Sequence, residues 1–106
     1  MARYAFLLQL KPGTGPAYDK SHEAVWPEML DLLKRVGIYE YSIFRRNEQL
    51  VLTMSMDRDF DAVWDEIGRD PVNTRWQEAM SAYFLPAQET REGERFPMMR
   101  EVFYLK

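Results

Sequence analysis

Tyr18, His22 and Trp26 recur at intervals of four residues, a spacing that places side chains on one face of a helix. His22 is the only histidine in the chain. Imidazole is the side chain whose ordinary pKa lies near neutrality, so this group can both accept and donate a proton. The flanking tyrosine and tryptophan add flat apolar rings with one polar tip each. Such a face can stack on the apolar side of a ligand and hydrogen-bond to its hydroxyls. The same spacing also describes a half-buried histidine packed between aromatic side chains, and spacing alone leaves both readings open. Trp76, followed by Gln77, offers a second wall, and Tyr39, Tyr41, Trp64 and Tyr83 add further rings with polar tips. Polar tips over an apolar floor suit a neutral polyol such as a sugar. Tyr39 and Tyr41 suit a subunit interface equally well, because tyrosine is enriched there.

Other chemistries find little support. The chain of 106 residues has no cysteine, which removes disulfides, thiolate nucleophiles and the common cysteine-based zinc sites. With one histidine and no thiol, a protein-built metal site is not expected, and no cofactor is expected either. Glycine-rich phosphate loops, HExxH and GxSxG patterns do not occur, so phosphoryl transfer, nicotinamide chemistry and serine hydrolysis lack their usual parts. Asp57, Asp59, Asp61, Asp65 and Glu66 crowd the start of one helical pattern, where helix-end preference explains them without catalysis. The formal net charge of -3 argues against a nucleic-acid partner, whose grip on phosphates needs clustered Lys and Arg. Arg45 and Arg46, the one adjacent basic pair, read as a solvated turn. The apolar run Tyr4–Leu10 is far shorter than the roughly 20 residues of a membrane span, so no membrane association is expected. A cytoplasmic location is compatible with this composition.

The elements that must position these residues follow the order strand, helix, strand, strand, helix, strand, in a single domain over residues 1–106. Arg3–Leu10 alternates as a strand and ends at Lys11-Pro12-Gly13. Thr14–Arg35 reads as a helix, with Thr14 as its cap and a kink or restart just after Trp26 where Pro27 breaks the hydrogen-bond ladder. Ile38–Phe44 and Leu50–Met56 read as an antiparallel hairpin, with Tyr39, Tyr41 and Ile43 on one face of the first strand and Ile38 and Phe44 on the other. Phe60–Ile67 reads as a helix capped by Asp59 or Asp57. Pro71-Val72-Asn73 interrupts the pattern before helix resumes over Thr74–Tyr83. Pro86–Pro97 reads as a polar loop and Met98–Leu105 as the last strand, with Glu101 placed to meet Arg100 or Arg3 or to face a pocket.

This order predicts an α+β fold, a ferredoxin-like βαββαβ sandwich with one antiparallel sheet and helices on one side. The strands are apolar on both faces, yet the helices can cover only one. An uncovered apolar sheet face is unfavourable in water at about 25 cal/mol per Å², so a homodimer through the sheet face is expected, a dimeric α/β barrel-type assembly.

The run Tyr18-Asp19-Lys20-Ser21-His22, then Val25-Trp26-Pro27-Glu28, Tyr41, Arg75-Trp76 and the ending Glu101-Val102-Phe103-Tyr104-Leu105 together resemble the L-rhamnose mutarotase family. The resemblance covers nearly the whole chain. It implies a dimeric ferredoxin-like fold and a cofactor-free isomerase that interconverts the α and β anomers of L-rhamnose. For this chain it implies a catalytic role for His22 and sugar contacts from Tyr18, Tyr41 and Trp76, beside the Trp26 ring already on the candidate face. Where the family carries a second adjacent tryptophan this chain has Gln77, an amide in place of a ring, which bears on the sugar more than on the reaction. Dimeric ferredoxin-like domains also host cofactor-free monooxygenases and heme-handling proteins. A non-catalytic dimer that binds a small ligand is the alternative outside enzymes.

Overall fold

Alternating Tyr4, Phe6 and Leu8 give β1, Ala2–Gln9, which pairs antiparallel with β3, Gln49–Met56. On the far side of β3 lies β2, Ile38–Arg46, and β1 carries the two-residue β4, Met98–Met99, on its other edge. The order β2-β3-β1-β4 is that of the expected ferredoxin-like sheet. This computed structural model describes residues 2–86 and 91–106. Part of the loop expected over Pro86–Pro97 therefore lies outside the described residues. The helices cover one face of the sheet, where Phe6, Leu10, Leu50, Leu52, Met54 and Met56 are buried.

The helical segment after β1 restarts just after Trp26, so that it forms two helices. Gly15–Ser21 forms α1 and Pro27–Arg35 forms α2. Between them His22–Ala24 tightens into a 3-10 turn, and Val25 and Trp26 are extended. Proline clashes with a helical residue before it, so Trp26 must leave the helical region, while Pro27 itself sits well in a first turn. Thr14 does not cap α1. Its hydroxyl donates to the carbonyls of Lys11 at 2.8 Å and Tyr83 at 3.3 Å. Pro71 likewise starts a helix instead of interrupting one. In α3, Phe60–Arg69, and α4, Pro71–Met80, the capping carboxylates are Asp59, accepting from the Ala62 amide, and Asp70, accepting from that of Val72.

A bulge in β2 changes the expected face assignment. Tyr39 stands opposite Ser55 and Ser42 opposite Thr53, so Glu40 and Tyr41 share the space facing one residue. Glu40 takes a positive φ of 50° to make the bend. Ile38 and Ile43 consequently both pack on the helix side, which strict alternation forbids. Tyr41 and Arg45 follow Ile43 to that side, whereas Tyr39 turns outward and its hydroxyl donates to Asp57 at 3.1 Å.

Arg45 is not a solvated turn residue. Its guanidinium meets the Asp19 carboxylate of α1 through two hydrogen bonds, 2.7 and 2.5 Å long, and also donates to the Asn47 carbonyl at 2.6 Å. Gly15 is buried beneath this clamp, and a Cβ there would come within 2.4 Å of an Arg45 nitrogen.

The expected strand Met98–Leu105 stops at Met99 in the single chain. Beyond it Glu101 reaches back to Arg3 with bonds of 3.0 and 2.6 Å, and the Arg3 guanidinium lies 3.2 Å from the centre of the Tyr104 ring. Val102, Phe103 and Leu105 remain 87, 77 and 80 % exposed. A strand needs a ladder partner, and within one chain this segment has none.

Candidate active site

His22 sits where α1 tightens, and its position follows from that geometry. Its ring stacks on the Tyr18 ring with centroids 4.1 Å apart and meets the edge of Trp76 at 5.5 Å. Tyr18 is buried on the helix side of the sheet, against Phe84. Trp76 is carried by α4, whose start is fixed by Asp70 and Pro71. Tyr41 arrives from β2 because of the bulge.

Two cavities of about 220 and 120 Å³ adjoin this cluster, and both are walled by His22, Tyr41, Trp64, Trp76 and Gln77. Tyr18 lines the smaller one. A larger hollow of about 370 Å³ lies on the other face of the sheet, beside the Arg3–Glu101 pair. The helix-side cavities are the better candidates, because they join an imidazole to convergent polar tips over an apolar floor.

The structure thus brings together five of the residues singled out in the sequence: His22, Tyr18, Tyr41, Trp76 and Gln77. Trp26 stands apart. It lies beyond the break after α1, lines neither cavity, and packs its ring edge-on against Trp76 at 5.0 Å. It therefore backs the cavity wall. Successive residues of a regular helix point apart, yet Ser21 Oγ is 3.0 Å from His22 Nδ1. Helical spacing could not reveal this, because the contact arises where the helix stops being regular.

Trp64 and Phe96 complete the site. Trp64, one of the further rings with polar tips noted in the sequence, reaches both cavities from α3. Phe96, in the expected polar loop, stacks on Phe6 at 4.2 Å and packs beside Trp64 at 5.1 Å.

The polar atoms of the cavity have acceptor and donor capacity to spare. Burial raises the Tyr18 hydroxyl to about pKa 12, with the Asp19 charge adding to it. Burial also raises Tyr41, with Tyr18 contributing. Both hydroxyls are therefore protonated donors at neutral pH, and neither hydrogen-bonds within the described residues. The Trp64 indole N–H is buried and has no partner among the described residues. Gln77 is held from one side by a 3.3 Å bond from its amide nitrogen to Asn73. Hydrogen bonding to Arg45 holds the Asp19 carboxyl below its usual range, and the charges of Arg45 and His22 act in the same direction.

Residues 3–105 match the family model described as L-rhamnose mutarotase. The chain belongs to the L-rhamnose mutarotase family. The L-rhamnose mutarotase of Rhizobium meliloti (strain 1021) is 33% identical over 106 residues, covering 100% of both chains. That of Jannaschia sp. (strain CCS1) is 40% identical over 76 residues, 72% of this chain and 73% of the relative. The crystal structure of the L-rhamnose mutarotase from Formosa agariphila superimposes with a TM-score of 0.77 at 25% identity, covering 100% of each chain. Tetracenomycin F2 cyclase from Streptomyces glaucescens, a type-II polyketide cyclase, aligns with a TM-score of 0.66 at 18% identity, over 100% of this chain and 97% of its own. That likeness shows a shared fold alone.

Proposed function

We propose that this member of the family is an aldose mutarotase that interconverts the α and β anomers of L-rhamnose or a closely related deoxy sugar by metal-free general acid/base catalysis. The observation that carries the reading is one imidazole forming a wall of both cavities beside two tyrosine hydroxyls that have no partner among the described residues.

Anomers exchange through the open-chain aldehyde. The C1 hydroxyl loses its proton, the bond from C1 to the ring oxygen breaks with its electron pair on that oxygen, and the ring oxygen gains a proton. Rotation about C1–C2 and closure on the other face reverse these steps. His22 is the proton carrier, a role worth about 10²–10⁴-fold when the group is well placed. Tyr18 and Tyr41 donate to sugar hydroxyls, the Trp76 face packs on the apolar side of the sugar ring, and Gln77 meets a polar substituent.

Exchange spectroscopy by saturation-transfer NMR tests the activity on L-rhamnose, L-fucose and related pentoses. The expected result is catalysed exchange of at least one sugar. Exchange of every sugar at its buffer rate would overturn the reading.

The proposal extends to a cytosolic homodimer through the sheet face. Its support is the outer face itself, where Leu7 and Val51 lie side by side with Phe44 opposite Val51, and the exposed apolar tail 102–105. The expected mass at micromolar concentration is twice that of the chain, and a monomer mass would remove the dimer.

A further inference from the structure

The Tyr18 carbonyl and the Ser21 hydroxyl converge on the same nitrogen of His22. Nδ1 lies 3.0 Å from the Tyr18 carbonyl oxygen and 3.0 Å from Ser21 Oγ. The Ser21 hydroxyl itself donates to the Tyr18 carbonyl at 2.7 Å. A backbone carbonyl can only accept, so a bond to it requires the proton on Nδ1. With its own proton directed at the same carbonyl, Ser21 Oγ can likewise only accept from Nδ1. An unprotonated Nδ1 would set its lone pair against the Tyr18 carbonyl oxygen, and the Ser21 hydroxyl could donate to it only by giving up its 2.7 Å bond to that carbonyl.

We propose that Ser21 is a positioning residue which, with the Tyr18 carbonyl, holds His22 as the Nδ1–H tautomer, so that Nε2 alone moves the proton in both directions. The inference rests on the mutarotase reading and deepens it. Which ring nitrogen carries the proton is set by the bond the other one makes. Neutral His22 then presents a bare Nε2 and starts the reaction as a base. Nε2 takes the proton of the C1 hydroxyl, the electron pair of the broken C1–O bond goes to the ring oxygen, and the imidazolium returns the same proton there from Nε2. The two sugar oxygens share C1, so one nitrogen can serve both. Nδ1 keeps its proton throughout, and the imidazolium formed midway is held by the same two acceptors.

The chain has a single histidine, so untagged protein labelled with 15N-histidine gives one pair of ring nitrogen signals. Long-range 1H–15N correlation on the sugar-free protein above the imidazole titration reads the tautomer directly. The expected pattern is a protonated Nδ1 and an unprotonated Nε2. In Ser21→Ala a measurable share of Nε2–H appears and kcat for anomer exchange falls about three- to tenfold, the equivalent of one neutral hydrogen bond, with KM unchanged. Ser21→Thr restores both. A dominant Nε2–H tautomer in the wild type, or a tautomer and kcat that Ser21→Ala leaves untouched, overturns the proposal. If no sugar exchanges, the mutarotase reading fails while the tautomer measurement still judges the placement of His22.

Discussion

His22 and Trp76 meet edge to face, with ring centroids 5.5 Å apart and planes inclined at 80°, although one ends α1 and the other lies in the middle of α4. The contact fixes the imidazole from the side that Tyr18 does not cover, since Tyr18 stacks on its face. Trp26 presses on Trp76 from behind at 85°. The imidazole is thus held by rings whose own positions depend on three separate helical segments.

Replacing His22 by Ala removes the proposed proton carrier and little of the core, because the ring is only half-buried. Catalysed anomer exchange is expected to fall by about 10²–10⁴-fold, with the circular dichroism spectrum and oligomeric mass unchanged. An unchanged exchange rate would remove His22 from the mechanism.

Tyr18→Phe separates a binding role from a stability role. The loss of one sugar hydrogen bond is expected to slow exchange about three- to tenfold, less than the loss of His22. The hydroxyl has its pKa raised from 10.0 to about 12 by burial. The unfolded chain therefore releases this proton first, and stability falls as pH rises from 10 towards 12, by on the order of 2–3 kcal/mol. Below pH 10 the group contributes no slope. Urea midpoints measured from pH 9 to 11.5 should decline more steeply for wild type than for Tyr18→Phe, and parallel curves would contradict the burial argument.

Trp64→Phe deletes a buried donor that has no acceptor. An unbonded buried N–H costs roughly 1–3 kcal/mol, which offsets the smaller ring's loss of packing, so the melting temperature should change little. If a sugar oxygen accepts from this N–H, KM rises about five- to tenfold. Of the three tryptophan indole signals, the one missing in Trp64→Phe should be displaced when the wild type is titrated with an exchanged sugar. A stationary Trp64 signal beside a moving Trp76 signal would place the sugar elsewhere in the cavity.

Gln77→Trp introduces the second adjacent ring that the family resemblance implies at this position and breaks the 3.3 Å bond to Asn73. A wider stacking surface is expected to lower KM for L-rhamnose several-fold, as one added aromatic contact of about 1 kcal/mol implies. A KM that rises for L-rhamnose would show that the amide is a working part of the specificity wall.

The element order, the helix-facing alternation of β1 and β3 and a cap for α3 from Asp59 or Asp57 were legible in the residues. Each depends on near neighbours in sequence or on a simple period. The same holds for His22 with Tyr18, one helical turn apart. The grouping of Ile38 with Phe44 failed because a bulge at Glu40, a residue with no special liking for positive φ, reset the alternation. Arg45 looked like a turn residue until that reset turned it onto Asp19. The C-terminal strand expected over Met98–Leu105 holds only at Met98–Met99, because alternation in sequence makes no strand where the described residues offer no ladder partner.

What the sequence by itself determined is the set of chemical parts and the layered fold that carries them: one imidazole, the aromatic rings around it, and a sheet apolar on both faces. Tertiary structure alone decided which parts meet. It sent Trp26 behind Trp76, drew Trp64 and Phe96 into the wall, and set Ser21 against Nδ1. Those contacts arise where regular periodicity breaks, at a helix end, a bulge and a loop, and there only packing between distant segments fixes a side chain's direction.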